Sequence, residues 1–120
     1  MKYSVSLKEN REFRRLYSKG RSKASSLMVI YCRKNRLGKN RIGITVSAKL
    51  GCAVKRNRIR RRIREAYRIN EERFEPGNDM VIVVRGRAMD SGFDDLTRSF
   101  LHLSDALGLL KSTDRQEDRQ

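Results

Sequence analysis

The sequence predicts one α+β domain: a small central sheet with flanking helices, in the order α-β-β-α-β-α. Three observations predict it. Short runs rich in Val, Ile and Tyr alternate with period two. Longer runs repeat their apolar residues at helical spacing. The chain has 120 residues, 38% of them hydrophobic, which suffices for one modest core and hardly for two.

The first helix is expected from Leu7 to Ser18. Ser6 and Glu9 have capping-box spacing, and Gly20 stands where a left-handed C-terminal residue is wanted. Phe13, Leu16 and Tyr17 share one face of it. The segment Arg21 to Ser25 can add a short edge strand. Leu27 to Arg33 reads as a strand, with Leu27, Val29 and Tyr31 on one side and Met28, Ile30 and Cys32 on the other. A basic loop, Lys34 to Asn40, turns at Gly38 into a second strand, Arg41 to Ser47. Ile42, Ile44 and Val46 take its buried face. Gly43, Thr45 and Ser47 make a small, polar face that is open or covered by something polar.

A long helix is expected from about Val54 to Phe74, ended by Pro76 and Gly77. Met80 to Arg85 is apolar on both faces and belongs in the middle of the sheet. The last helix runs from about Phe93 to Leu110, with Leu96, Phe100, Leu103, Leu107 and Leu110 as its apolar stripe. Residues 1–5 and 111–120 are expected to be disordered tails.

Charge narrows the function. Lys and Arg total 29 against 14 Asp and Glu, a net charge of +15. Such a surplus repels itself in the folded state unless an anion relieves it. The longest apolar run, Met80 to Val84, has the length of a strand and not of a membrane span. The first residues lack the apolar stretch of a signal peptide, so a cytoplasmic protein is expected, with Cys32 and Cys52 as free thiols. Two cysteines without a nearby His make no zinc site.

A protein active site is not expected either. Metal-dependent cleavage needs convergent carboxylates and acid–base cleavage needs a pair such as two His. The chain has one His, His102, which reads as a packing or surface residue. Glu71-Glu72 and Asp94-Asp95 lack matching carboxylates, and Asp94 and Asp95 suit the N-terminus of the last helix. No Gly-rich phosphate loop follows a strand.

The segment Lys55 to Arg64 holds seven basic residues in ten. On a helix, at about 100° per residue, Ile59, Ile63, Ala66 and Tyr67 gather on one side. Asn57, Arg61, Arg64 and Arg68 form a stripe on the opposite side, and Arg56, Arg60 and Arg62 flank the seam. Lys55, Arg56 and Arg58 fill the first turn, where the helix dipole disfavours cations. Such a breach of local consistency marks a functional site more often than a solvated face. Free backbone N–H groups and guanidinium forks converge there, as a polyanion requires.

The run Lys49-Leu50-Gly51-Cys52-Ala53-Val54-Lys55-Arg56-Asn57-Arg58-Ile59-Arg60-Arg61-Arg62-Ile63-Arg64-Glu65-Ala66-Tyr67 resembles the signature of the bacterial ribonuclease P protein subunits, whose name-giving core is Arg56-Asn57-Arg58. Phe13 through Tyr17 to Gly20, Arg41 to Ser47, Asp79 to Arg85 and His102-Leu103 also match that family. The resemblance implies a protein that binds a catalytic RNA and precursor tRNA, and assists endonucleolytic removal of the 5′ leader. It implies that the RNA supplies the active site and holds the Mg2+ ions. It also implies a left-handed strand–helix–strand crossover around the basic helix, against the general rule.

Two surfaces follow from the resemblance. Lys49, Lys55, Arg56, Asn57, Arg58, Arg60, Arg61, Arg64 and Arg68 would dock on the catalytic RNA. Phe13, Tyr17, Tyr31 and Ser47 would line a cleft for the single-stranded leader, where stacking tolerates any base. The family often has Phe where Tyr17 stands; the ring is kept. Some relatives carry a proline near Arg85-Gly86-Arg87 that is absent here. From the residues alone, Phe13 and Tyr17 read first as core, Tyr31 as a half-buried strand residue, Ser47 as a strand end, Lys49 as a loop charge and Asn57 as a cap or first-turn residue. Two other readings share the charge: a ribosomal-type structural RNA-binding protein, and a DNA-binding regulator. The second would need a helix-turn-helix, and no short helix is visible before Val54.

Overall fold

The computed structural model describes residues 4–6 and 10–111. Its elements are β1 (Ser4–Ser6), α1 (Asn10–Lys19), β2 (Arg21–Ala24), β3 (Met28–Lys34), β4 (Asn40–Thr45), α2 (Ala53–Asn70), β5 (Asn78–Val84) and α3 (Phe93–Ala106). Short 3-10 turns at Ala48–Leu50, Glu71–Arg73 and Gly86–Asp90 join them. The strands form one mixed sheet in the order β1-β4-β5-β3-β2. β1, β4 and β5 run parallel, while β3 is antiparallel to β5 and β2 antiparallel to β3. β5, apolar on both faces, lies at the centre as expected. The possible edge strand at 21–25 exists as β2, and all four of its residues are exposed.

Strand alternation divides the core. Met28, Ile30, Cys32, Ile42, Met80, Ile82 and Val84 point to one side, where α2 and α3 cover them. Ile59, Ile63, Ala66 and Tyr67 are the buried residues of α2, so its seam is the one the spacing predicts. Tyr67, Phe74 and Phe100 pack as an aromatic cluster within this layer. Each fully buried Leu or Ile contributes about 1.5–3 kcal/mol. Cys32 lies in the same layer, and burial raises its thiol pKa.

The opposite sheet face carries α1 alone among the helices. Leu16 and Val81 are buried together there, with Phe13, Tyr31 and Val83 packed around them. Gly43, paired with Val81, is buried, so the small-residue face of β4 is open only toward Thr45 and Ser47. Arg41 ties α1 to this face. Its Nε and Nη2 donate to the two carboxylate oxygens of Asp79 at 2.8 and 2.7 Å, and its Nη1 donates to Glu12 Oε1 at 3.1 Å. Arg41 and Glu12 are mostly shielded from water, so the link is worth more than a surface pair. Glu12→Gln is expected to cost about 1 kcal/mol in urea unfolding. No change in the denaturation midpoint would show that α1 is held by its apolar face alone.

Several boundaries differ from the sequence reading. Ser4–Ser6 pairs with β4 where a disordered tail was expected, so Ser4 and Val5 are no part of one. The first helix starts at Asn10; Ser6 lies in β1 and Glu9 falls outside the described residues, as do residues 112–120. Gly20 does not have the left-handed backbone assigned to it. A Cβ there would meet Leu16 O at 2.6 Å and Cys32 O at 2.8 Å, so the glycine allows a close approach of backbones. α2 stops at Asn70, not Phe74, and the chain extends at Phe74 to bridge Leu110. α3 stops at Ala106 because Gly108, at φ 75°, reverses the chain. Leu109 N–H then donates to Ser104 O and Gly108 N–H to Asp105 O, a Schellman closure. Leu107 and Leu110 stay buried beyond the helix end.

Candidate nucleic-acid interface

α2 begins with no side-chain cap and no acidic residue in its first turn. Ser47 caps the preceding turn, its hydroxyl accepting from Lys49 N–H at 3.3 Å, and this sets the exposed Lys49 just ahead of the helix. Cys52 is exposed at the N-cap. The Lys55 backbone N–H, with smaller help from Val54 N–H and the Lys55 charge, holds its thiol pKa below the usual value.

The predicted stripe is on the surface: Asn57, Arg61, Arg64 and Arg68 are all exposed, as are Lys55 and Arg58. Arg56, Arg60 and Arg62 are half-buried at the seam. Their partners are neutral. Arg56 Nε donates to Gly51 O, Arg60 Nη1 to Asn57 Oδ1 and Arg62 Nη1 to Ser91 O, at 3.0–3.2 Å. Asn57, the fifth residue of α2, is neither its cap nor in its first turn, and its Oδ1 orients Arg60. Arg68 is the exception, since it pairs with Glu65 through Nε at 2.9 Å and through Nη2. That pairing lowers the Glu65 pKa and raises that of Arg68. Among the described residues, Arg58, Arg61 and Arg64 have no carboxylate partner. Fanned guanidinium groups without internal counter-ions are an open anion site.

Val54 is a residue the sequence reading passed over. It is 66% exposed and shares a shallow depression of about 480 Å³ with Asn57, Arg60, Arg61 and Arg64. The signal was there: an apolar residue off the Ile59–Ile63 seam.

On the other sheet face Phe13, Tyr17 and Tyr31 lie close together. The Tyr17 and Tyr31 rings meet edge to face, with centroids 4.8 Å apart. Tyr17 is 41% exposed, too much for the core role its spacing first suggests. Phe13 and Tyr31 are half-buried beside it. The register adds a floor the sequence did not reveal. Val29 pairs with Val83, and Val83 with Thr45, so all three lie on the face that carries Tyr31. All three are half-buried. Ser47 lies two residues past Thr45, as the cap already described, and is not part of the ring cluster. His102 is exposed on α3. No group of three or more His, Cys, Asp or Glu able to hold a metal ion forms among the described residues. No described helix is long and apolar enough to cross a membrane.

A cationic helix on one face of a mixed sheet and a half-exposed aromatic strip on the other define a class: small, basic α+β proteins that bind RNA. Comparison with known proteins makes this particular. The family model described as Ribonuclease P matches residues 1–108. The ribonuclease P protein component of Alkaliphilus metalliredigens is 41% identical over 103 residues, covering 86% of this chain and 93% of that one. That of Clostridioides difficile is 44% identical over 98 residues, covering 81% and 86%. The solved structure of the Staphylococcus aureus RNase P protein superposes with a TM-score of 0.82 at 33% identity, covering 88% of this chain and 97% of that one. The Thermotoga maritima RNase P protein gives 0.76 at 29% identity, covering 82% and 93%. The chain belongs to the ribonuclease P protein family. The ribosomal-type alternative finds no support in these matches.

Proposed function

We propose that the chain works as the protein subunit of a ribonuclease P holoenzyme in the cytoplasm, binding a catalytic RNA and precursor tRNA while the RNA performs the cleavage. The observation that carries this reading is the row Arg58, Arg61 and Arg64: exposed, on one helix, and without a carboxylate partner among the described residues. Lys49, Lys55, Arg56, Asn57, Arg60 and Arg68 extend it along the same helix and its lead-in turn. Arg68 contributes less, because Glu65 already holds it. The strip of Phe13, Tyr17 and Tyr31, floored by Val29, Val83 and Thr45, takes the single-stranded leader. Its rings offer stacking faces to any base and its β-branched floor offers apolar contact. Ser47 supplies the end of that face. In this reading the Mg2+ ions of the reaction are held mainly by the RNA.

The protein's share is then affinity and counter-charge. Guanidinium groups reduce repulsion where two RNAs crowd together, so the holoenzyme needs fewer free cations. The test is cleavage of precursor tRNA by the candidate RNA at low magnesium, with and without the protein. Cleavage is expected only with it. Equal rates in the two reactions would refute the assignment. A second expectation concerns the strip: Phe13→Ala lowers affinity for precursor tRNA roughly tenfold, as loss of one stacked base does, and leaves mature tRNA unaffected. Equal losses for the two tRNAs would give Phe13 a purely structural role.

A further inference from the structure

The charge of this chain is sharply segregated. Residues 10–68 hold twenty Lys and Arg and only two acidic residues, Glu12 and Glu65. Both acids are already engaged, Glu12 by Arg41 and Glu65 by Arg68. Residues 69–111 reverse the balance, with eight acidic residues against five basic. α2 accounts for part of the excess. The outer face of α1 accounts for another part, and the docking of α2 on RNA leaves that part unused.

Arg11, Arg14, Arg15, Ser18 and Lys19 are all exposed; Arg11, Arg14 and Ser18 lie on the side of α1 away from Leu16, and Arg15 and Lys19 on the flank opposite Tyr17. Arg11–Arg15 and Arg15–Lys19 are consecutive like-charge pairs at i,i+4, an arrangement that disfavours an isolated helix. Among the described residues, Arg14, Arg15 and Lys19 have no carboxylate partner. Arg33 joins this surface: it pairs with Asp79 across β3–β5, which puts it on the α1 face of the sheet, and it is exposed. The patch is continuous with the aromatic strip, because Arg14 sits one helical turn from the half-exposed Tyr17. It lies on the sheet face opposite α2, away from the surface proposed for the catalytic RNA.

We propose that Arg14, Arg15 and Lys19 of α1, with Arg33 of β3, form a second phosphate track that carries the single-stranded leader upstream of the segment held in the aromatic strip. This rests on the leader-binding reading above and extends it. The strand leaves the strip over the exposed edge of Tyr17, meets Arg14, and crosses the helix toward Arg15, Lys19 and Arg33. The track reads backbone charge and not bases, so it favours long leaders over short ones whatever their sequence.

The test uses the reconstituted holoenzyme and three RNAs: mature tRNA, and precursors with leaders of about 4 and about 16 nucleotides, within the range of single-strand site sizes. The variant is R14Q/R15Q/K19Q; these are exposed positions where Gln keeps helix propensity. The expected result is a roughly tenfold loss of affinity for the long-leader precursor, with its salt slope reduced by about 2, as three lost single-strand phosphate contacts require. Affinity for the short-leader precursor, mature tRNA and the catalytic RNA stays unchanged. An unchanged long-leader affinity overturns the track while leaving the strip intact. Equal losses on long and short leaders overturn it by placing α1's charges within the strip's own site. Weaker binding of the catalytic RNA overturns it by reassigning the face to that RNA. A wild-type holoenzyme that binds mature tRNA and both precursors equally well overturns the leader reading and the track together.

Discussion

Replacing Arg61 and Arg64 together by Ala is expected to weaken binding to the catalytic RNA by roughly 10- to 100-fold at moderate salt and to reduce the salt slope by about 2. Both side chains are exposed, and neither has a carboxylate partner among the described residues. Their loss therefore orphans no group of the protein. Arg58, Arg61 and Arg64 repel one another at i,i+3 spacing, and Ala is the better helix former, so the variant should be no less stable than the parent. Filter binding across a salt series and thermal unfolding of the free protein measure the two quantities. Unchanged affinity in a folded variant would remove the row from the interface. Lost affinity with lost stability would mean the row supports the fold instead. The same double change should leave the contribution of the leader intact, because Phe13 and Tyr17 lie on the other sheet face.

Gly20→Ala should be the most damaging single change to the fold, by about 2–3 kcal/mol, seen as a melting temperature lower by ~10 °C or more. The added methyl would sit 2.6 Å from Leu16 O and 2.8 Å from Cys32 O. Both are backbone atoms, and no side-chain rotation relieves them. Gly20 N–H also donates to Leu16 O at 2.9 Å, so moving Leu16 O away breaks the last turn of α1. Moving Cys32 shifts the middle of β3, which pairs on both sides. Relief therefore tilts α1 and with it the Phe13–Tyr17 edge. Precursor affinity should fall even in the surviving folded fraction, and mature tRNA affinity should not. A variant with parental stability would show that the α1–β2 junction is softer than its packing implies.

The sequence revealed α2 best, because one helix carries both of its signals. The core seam Ile59, Ile63, Ala66 and Tyr67 and the cationic stripe are local patterns with one period. Whatever depends on residues far apart was harder to see. Val29 shares Tyr31's face by the local period, but Val83 and Thr45 join that face only through the pairings of β3, β5 and β4. The Glu12–Arg41 link spans 29 positions for the same reason. β1 went unread because Ser-Val-Ser is too short to show alternation. The end of α3 was overrun because Leu107 and Leu110 keep the apolar spacing past Gly108, where backbone conformation and not hydrophobicity ends the helix. The position of Gly20 after the helix suggests a left-handed cap, whereas the closeness of Cys32 O, which actually requires glycine, is invisible without the sheet.

β4 and β5 are adjacent parallel strands, and the whole of α2 is the connection between them. The two strands cannot zip until that connection has folded back onto the sheet, so the surface proposed to meet the catalytic RNA is also the link on which the pairing of β4 with β5 depends. A ligand clasping it holds the entire chain native through linkage, adding about 2.7 kcal/mol once its concentration reaches a hundred times Kd. In the proposed assembly, RNA would therefore also stabilise the fold, by relieving its positive field.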